Sequence, residues 1–337
     1  MDQLLILTAV IVACSLVFDL INGFHDTANA IATSVSTKAL KPKHAILLAA
    51  SMNFLGALLF QGVAKRITDD IVLSTTFDLP HVNMQVVLIA ALLSAITWNL
   101  VTWYFGIPSS SSHALIGSIA GATVAAAGFS AINKTGLLEI FGGLILSPVL
   151  AFFVGYVVYT IIKFIFKNHN LARANRNFRL VQILTAALQS FTHGTNDAQK
   201  AMGIITMALI AGGYQSGSDV QTWVQIACAT AMAIGTSIGG WKIIKTVGGK
   251  IMKIKPVTGV AADISSVIVI FSATLLHLPV STTHVISSAI MGVGTSHRPK
   301  GVKWDTGKRM LFTWVITLPI AFALSTIIYY ILHFFVG

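Results

Sequence analysis

Apolar stretches of about 20 residues, the length with which an α-helix crosses the hydrocarbon core of a bilayer, follow one another along the whole chain. The 337 residues are 55% hydrophobic and only 10% charged. Only helices and closed barrels span a membrane, because every backbone polar group must be satisfied there without water. The pattern predicts an all-α polytopic membrane protein and leaves no segment over for a soluble domain.

The chain resembles itself at an offset of 171 residues. One motif pair consists of GFHDTANA, which begins at Gly23, and GTNDAQKA, which begins at Gly194. The other consists of GIPSSSSH, which begins at Gly106, and HLPVSTTH, which begins at His277. Two motif pairs at one offset are hard to obtain by chance, so they indicate a duplicated chain.

Each half of the duplication holds an odd number of candidate spans, which places the two halves in opposite orientations, a recurring plan of secondary transporters. We therefore predict two inverted-topology repeats, residues 1–167 and 180–337, joined by a short basic cytoplasmic linker, residues 168–179. With broken or re-entrant helices, the total is about 10–12 transmembrane segments. The candidate spans are 4–38, 44–64, 84–105, 109–128 and 137–167, then 181–211, 222–242, 257–277, 281–294 and 306–335.

The basic residues give the orientation, because Lys and Arg collect on cytoplasmic loops. Most of the 22 Lys and Arg residues fall on loops that share one side of the membrane once the halves are inverted. This predicts a multi-pass protein of the cell membrane with both termini outside. The pI of about 9.8 is then explained by basic residues on cytoplasmic loops, close to the lipid bilayer, and not by binding of nucleic acid.

Ionisable side chains inside apolar spans are costly and usually mark the path of an ion or a substrate. In this chain they are Asp19, Asp26, Asp197, Lys200 and Asp263. The alternative is that they only pair with one another, as Asp197 could with Lys200, and hold helices together. Asp26 and Asp197 are equivalent in the repeat, which favours a transport path for the set.

Gly23 and Gly194 stand beside polar residues and predict a break in each first span, since glycine is a poor helix-interior residue. A break would bring carbonyl, carboxylate, amide and hydroxyl oxygens together, and such oxygens suit a hard cation such as Na+. The same carboxylates could instead carry protons, and the residues do not separate the two ions. The side chains that we assign to cation binding or coupling are Asn22, His25, Asp26, Asn29, Asn196, Asp197, Asp19 and Asp263, with Asp26 and Asp197 as the Na+ candidates.

The second motif pair places a proline and a run of hydroxyl residues at the start of a small-residue helix, which is a helix N-terminus signal. Such a terminus presents free N–H groups and the positive end of the helix dipole to an anion. Inverted halves would bring two of these termini face to face, in a pocket suited to a tetrahedral oxyanion. The alternative is capping and close packing alone. The predicted substrate-binding side chains are Ser110, Ser111, Ser112, His113, Ser281, Thr282, Thr283, His284, Lys200 and Gln199.

Four motifs, NGFHDTANA, HGTNDAQKAMG, GIPSSSSHALIG and LPVSTTHVISSAIMG, resemble the signatures of the inorganic phosphate transporter (PiT) family over essentially the whole chain. The resemblance, closest to the bacterial low-affinity phosphate permease type, implies a symporter that imports inorganic phosphate with Na+ or H+ by alternating access. Many members have Asn where this chain has His25. The bacterial branch with His there includes proton-coupled carriers of metal-phosphate complexes. A homodimer is possible, since dimers are common among such carriers.

Three other functions remain to be compared with phosphate symport. A sulfate permease of the same family is the first alternative, and an anion channel is the second. A channel needs a continuous file of polar residues, whereas here they cluster at two symmetric depths. The chain has no nucleotide-binding glycine loop and no His/Cys metal spacing, so we predict that it is not an enzyme and needs no cofactor besides the coupling ion.

Overall fold

A computed structural model describes residues 3–72, 84–167 and 171–336, and it is built almost entirely of α-helices. The predicted all-α class is therefore confirmed. The helices are α1 (Gln3–Ser36), α2 (Pro42–Leu59), α3 (Gly62–Asp70), α4 (Met84–Phe105), α5 (Ser111–Ala127), α6 (Lys134–Ile165), α7 (Leu171–Ala211), α8 (Thr222–Ile238), α9 (Trp241–Lys245), α10 (Pro256–Leu275), α11 (Thr282–His297) and α12 (Trp304–Val336).

Six of the described helices are long and apolar enough to cross a membrane, by length and composition: α1, α2, α4, α6, α10 and α12. The helices α5 and α8 are apolar but shorter. The other two predicted spans correspond to α7, which is 41 residues long, and to α11, which is 16 residues long. The fold is that of a polytopic membrane protein, and the number of crossings beyond these six stays a prediction.

The helix boundaries follow the 171-residue offset. Helix α5 begins at Ser111 and α11 at Thr282, and α4 and α10 match within a residue or two at both ends. The packing is reciprocal as well, because α5 lies along α12 while α6 lies along α11, and α1 contacts α8 while α2 contacts α7. Each half thus packs against its counterpart. The inverted orientation of residues 1–167 and 180–337 stays a prediction.

The predicted linker, residues 168–179, overlaps the start of a long helix. Residues 168–170 lie outside the described residues, and α7 begins at Leu171. The segment LARANRNFRL from Leu171 to Leu180 is rich in Leu, Ala and Arg, which are good helix formers. The basic segment is therefore mostly the first part of the helix that carries the second motif.

The predicted breaks at Gly23 and Gly194 are wrong, because α1 and α7 continue through both residues. A Cβ atom on Gly23 would lie 2.4 Å from the carbonyl oxygen of Met232, and one on Gly194 would lie 2.3 Å from that of Asn53. The two glycines allow a neighbouring helix to approach closely, as small residues do at membrane helix contacts. No carbonyl groups are freed there for a cation.

Gly235 gives a direct test of this close packing between α8 and α1. A Cβ atom there would lie 1.9 Å from the carbonyl oxygen of Leu20, so we expect Gly235→Ala to destabilise the fold by about 1–3 kcal/mol or more. The matched control is Gly142→Ala in α6, where a Cβ atom meets nothing within 4 Å; it should gain about 1 kcal/mol of helix propensity. Thermal unfolding of the purified proteins measures both, and equal unfolding temperatures would contradict the packing argument.

Candidate functional site

The N-termini of the short helices α5 and α11 meet in the interior. The Ser112 hydroxyl of α5 donates to the carbonyl oxygen of Val280, just before α11, at 2.8 Å. The rings of His113 and His284, which are equivalent in the repeat, have centroids 4.7 Å apart. All four residues are buried. The two helix ends predicted to bind an anion therefore lie side by side.

Both helix ends are capped in the same way. The Ser110 hydroxyl accepts the backbone N–H of His113 at 3.1 Å, and the Ser281 hydroxyl accepts that of His284 at 3.3 Å. Serine is a preferred N-cap, because its side chain satisfies one of the N–H groups that the first turn leaves open. Ser110 and Ser281 therefore stabilise the N-termini of α5 and α11 as helix caps.

Asp26 of α1 is completely enclosed and ties three helices together. Its Oδ2 accepts the hydroxyl of Ser111 at 2.6 Å, and its Oδ1 accepts the hydroxyl of Thr283 at 3.0 Å. The Nδ1 atom of His25 lies 2.6 Å from the same Oδ1, and its Nε2 atom lies 3.2 Å from the Thr102 hydroxyl of α4. One carboxylate thus joins α1 to the N-termini of both α5 and α11.

Asp197 of α7 is the equivalent carboxylate, and its partner is a lysine. The Lys200 Nζ atom lies 2.8 Å from Asp197 Oδ1, and both side chains are at most 1% exposed. The Thr282 hydroxyl donates to Asp197 Oδ2 at 3.2 Å, and His193 Nε2 lies 3.4 Å from the same oxygen. Lys200 also donates to the Ser111 hydroxyl at 3.3 Å, so it connects the two halves of the cluster.

The cluster follows the internal repeat only in part. The offset of 171 residues maps the Ser111–Asp26 pair onto the Thr282–Asp197 pair, and both pairs are hydrogen-bonded. The same offset maps Asn29 onto Lys200. The Asn29 amide donates to the Thr283 hydroxyl at 2.7 Å, whereas Lys200 brings a full positive charge. The site therefore pairs two carboxylates with one fixed ammonium group.

Asn196 and Gln199 support the site from its edge. The Asn196 side chain donates to the Leu278 carbonyl at 3.1 Å and accepts the Val280 N–H at 3.2 Å, so it holds the segment that leads into α11. The Gln199 carbonyl accepts the backbone N–H of Ala64 at 3.1 Å and fixes α3 instead. These contacts are structural, and among the described residues neither side chain is hydrogen-bonded to the carboxylate of Asp26 or Asp197.

Asp263, Asp19 and Asn22 lie outside this cluster. The Asp263 carboxylate accepts the hydroxyls of Thr33 at 2.7 Å and Thr185 at 2.8 Å, between α10, α1 and α7. It is therefore satisfied within the protein. Asp19 and Asn22 are fully buried on α1. Among the described residues, the Cys228 thiol is beside the Asp19 carboxyl group, and the side-chain atoms of Asn22 have no hydrogen-bond partner.

Sequence analysis missed two polar residues, Asn53 and Thr102, that form hydrogen bonds with side chains of the site. Asn53 of α2 donates to the hydroxyls of Thr27 at 2.9 Å and Thr236 at 3.1 Å, and its oxygen lies 3.1 Å from His193 Nδ1. Thr102 holds His25, as described above. Each is a polar residue inside an otherwise apolar span. A lone polar residue in an apolar span could have indicated a role for both residues, because buried polar groups need hydrogen-bond partners.

Within the described parts of the chain, no three His, Cys, Asp or Glu side chains converge to hold a metal ion. A Na+ ion at Asp26 or Asp197 would need the amide and hydroxyl oxygens nearby. The enclosed cluster offers two helix N-termini and an ammonium group to an anion, and two carboxylates, to which the hydroxyls of Ser111, Thr282 and Thr283 now donate, as acceptors for a proton or a cation. Such an arrangement can bind a protonated tetrahedral oxyanion together with a positive ion.

Comparison with known proteins gives matches along the whole chain. Residues 22–325 match the family described as "Phosphate transporter family". The chain is 68% identical to a "Probable low-affinity inorganic phosphate transporter" of Bacillus subtilis (strain 168), over 99% of both chains. It is 44% identical to a protein of the same description from Rhizobium meliloti (strain 1021), over 95% of both. A solved structure entitled "The sodium-dependent phosphate transporter" has the same fold, with a TM-score of 0.89, 23% identity and coverage of 97% of this chain and 98% of that one.

Proposed function

We propose that this chain, which belongs to the phosphate transporter family, imports inorganic phosphate by secondary active symport with Na+ or H+. The relatives are named as transporters and not as enzymes. The mechanism would be alternating access, in which one group of helices rocks against another around the buried site. The cell membrane as location, both termini outside and a possible homodimer are part of the same proposal.

The observation that carries the proposal is the meeting of the α5 and α11 N-termini with Ser111, Thr282 and Thr283 pointing at two carboxylates. Phosphate at neutral pH keeps at least one proton, which a carboxylate can accept in a hydrogen bond, while its other oxygens accept from hydroxyl and N–H groups. Sulfate has no proton to donate, so the carboxylates would repel it. The site chemistry therefore favours phosphate over sulfate.

The balance of charge in the site supports coupled transport. Lys200 offsets the charge of Asp197 at 2.8 Å, and the Asp26 carboxylate is held by His25 and two hydroxyls. Bringing a phosphate anion into this buried cluster adds negative charge in a poorly solvated place, which is costly unless a cation enters with it. A Na+ ion or a proton at Asp26 would supply that charge.

The test is phosphate uptake into proteoliposomes under an inward Na+ gradient or an inward proton gradient, at matched membrane potential. We expect saturable phosphate uptake that needs one of the two gradients, and weak competition by sulfate. Uptake that needs a metal ion added with phosphate would identify a metal-phosphate complex as the transported species. Non-saturable flux that ignores both gradients would identify a channel, and preferred uptake of sulfate would identify a sulfate permease.

Ser111→Ala tests the hydroxyls at the two helix N-termini, which we propose to turn from the carboxylates to the bound phosphate. Hydrogen bonds to charged groups contribute about 1.5–3 kcal/mol, so we expect the KM for phosphate to rise roughly 10-fold to 100-fold, with a smaller change in cation dependence. Thr282→Ala should behave alike. The matched control is Ser118→Ala, farther along α5, where the hydroxyl donates to the Ser94 hydroxyl at 2.9 Å and not to a carboxylate. A larger effect on cation dependence than on phosphate would mean that the anion and cation motifs are exchanged.

A further inference from the structure

A cavity of about 590 Å³ lies between α6 and α12, with residues of α5 and α11 in its wall. Its volume is within the range of roughly 300–1,000 Å³ that ligand pockets have. One face of α6 lines it with apolar residues that recur at each helical turn: Leu144, Ile145, Pro148, Val149, Phe152 and Phe153. A phosphate ion would not leave water for such walls. The cavity therefore suits an apolar ligand and is separate from the enclosed carboxylate cluster.

The cavity opens at the side of the helix bundle. Among the residues that line it, Ile145 and Phe153 of α6 are 67% and 61% exposed, and Leu311 and Val315 of α12 are 52% and 72% exposed. Both helices are long and apolar enough to cross a membrane. The exposed parts of these side chains therefore face the hydrocarbon chains of the bilayer, and an acyl chain can enter the cavity without crossing water.

The length of the cavity matches the depth of one leaflet. The part of α12 that lines it runs from Trp304, the first residue of the helix, to Leu318. This distance is about 21 Å at 1.5 Å per residue. The hydrocarbon core of a bilayer is about 30 Å thick, so the cavity extends from the end of a membrane helix to about the middle of the bilayer. An acyl chain of a phospholipid covers the same depth.

The end of the cavity at the start of α12 is positively charged. Lys308 lines it and is exposed, and among the described residues it takes part in no ion pair. The surrounding segment, residues 298–310, has five Lys or Arg residues and one acidic residue, Asp305. Trp304 lines the same end, and tryptophan is enriched where a membrane meets water. Basic pockets between membrane helices bind the headgroups of anionic lipids.

We propose that this cavity binds one anionic phospholipid, with an acyl chain between α6 and α12 and the headgroup phosphate at Lys308. The apolar walls take up the chain, and the basic end attracts the charge of the headgroup. A lipid without net negative charge would fill the same space but would lack the attraction to Lys308 and to the basic segment around it.

The inner part of the cavity reaches the helix ends of the candidate site. The rings of His284 and Trp314 both line the cavity and stack with their centroids 3.9 Å apart. Trp314 Nε1 donates to the carbonyl oxygen of Pro108, just before α5, at 3.2 Å. An acyl chain packed against these two rings would hold the N-termini of α5 and α11 in place. This effect on transport rests on the proposed function, whereas lipid binding itself does not.

The test is native mass spectrometry of the purified, delipidated full chain in detergent without phosphate. The protein is titrated with dioleoyl phosphatidylglycerol or dioleoyl phosphatidylcholine, which share their chains and differ in net charge. We expect saturable binding of one phosphatidylglycerol per chain, and phosphatidylcholine should bind roughly 5-fold to 50-fold more weakly. Glycerol 3-phosphate has a charged headgroup but no chains and should not compete. Competition by it would mean that the acyl chain has no part in binding and would overturn the proposal.

Two pairs of variants locate the lipid. Val315→Trp fills the cavity from its exposed rim and should weaken phosphatidylglycerol binding roughly 10-fold or more. Val157→Trp is its matched control, because Val157 of α6 is 52% exposed and does not line the cavity. Lys308→Gln should lower the affinity for phosphatidylglycerol towards that for phosphatidylcholine. Lys300→Gln is its control, since Lys300 is exposed in the same basic segment but does not line the cavity.

The results separate this inference from the proposed function. Equal lipid affinity in Val315→Trp and Val157→Trp would overturn the site, and so would binding of many lipids without saturation. A dimer that Val315→Trp dissociates, in a protein that binds no lipid, would identify a second copy of the chain as the occupant instead. Absence of phosphate uptake with lipid binding intact would overturn the proposed function and leave the lipid site standing. Normal uptake by a protein that binds no lipid would do the reverse.

Discussion

Asp26→Asn is expected to abolish coupled phosphate uptake while the protein stays folded in the membrane. The Asp26 carboxylate accepts from Ser111 and Thr283 and lies 2.6 Å from His25 Nδ1. An amide keeps the shape but loses the charge, and its nitrogen is a donor that faces another donor. Loss of one such charge-assisted contact is worth about 1.5–3 kcal/mol, which corresponds to roughly 10-fold to 150-fold in rate. The substitution disturbs three contacts at once, so we expect no measurable coupled uptake.

The measurement is initial phosphate uptake per folded protein in proteoliposomes, with size-exclusion chromatography as the check on folding. Asp197→Asn is the variant matched by the internal repeat and should lose uptake as well. Asp305→Asn is the control, because Asp305 is exposed in the first turn of α12 and should keep normal uptake. Normal transport by Asp26→Asn or by Asp197→Asn would show that the substituted carboxylate does not take part in transport.

Lys200→Met is expected to destabilise the fold by about 3–5 kcal/mol, because removal of one partner leaves the other charge of a buried pair uncompensated. Lys200 is 1% exposed, and its Nζ atom lies 2.8 Å from Asp197. The double variant Lys200→Met with Asp197→Asn removes both charges and should recover part of that loss. Thermal unfolding of the purified single and double variants measures the coupling between the two residues.

An exposed ion pair provides the comparison for this prediction. Lys65 forms a salt bridge with Asp219, and their side chains are 44% and 84% exposed. Exposed pairs contribute at most about 1 kcal/mol, so Lys65→Met should change the unfolding temperature far less than Lys200→Met does. Two results would contradict the argument: equal shifts in Lys65→Met and Lys200→Met, or a double variant at Lys200 and Asp197 that is no more stable than the single one.

Much of the site could be predicted because its signals are local in the sequence. Ser110 and Ser281 were recognised as helix starts from a proline and hydroxyl pattern, and the structure has them as caps. The equivalence of Asp26 and Asp197 followed from the offset alone. Hydropathy, caps and repeats depend on neighbours along the chain, so they can be read without knowing which helices touch.

Other parts were wrong or missing because they depend on contacts between distant residues. A glycine inside a helix is compatible with a break or with a close neighbour, and only the carbonyl of Met232 next to Gly23 decides between them. Asn53 gave a weak signal as a single amide in an apolar span. Its partners Thr27, Thr236 and His193 come from three different helices.

By itself the sequence determined that this protein is an all-α membrane protein whose motifs recur at an offset of 171 residues, with paired carboxylates and paired helix N-termini. Those properties arise from apolar length, repeated motifs and capping chemistry, all encoded locally. Only the tertiary structure decided that Lys200 is held by Asp197 and reaches Ser111, and that Asp19 lies beside the Cys228 thiol. The energy of a buried charge depends on which groups surround it, and helix packing alone brings those groups together.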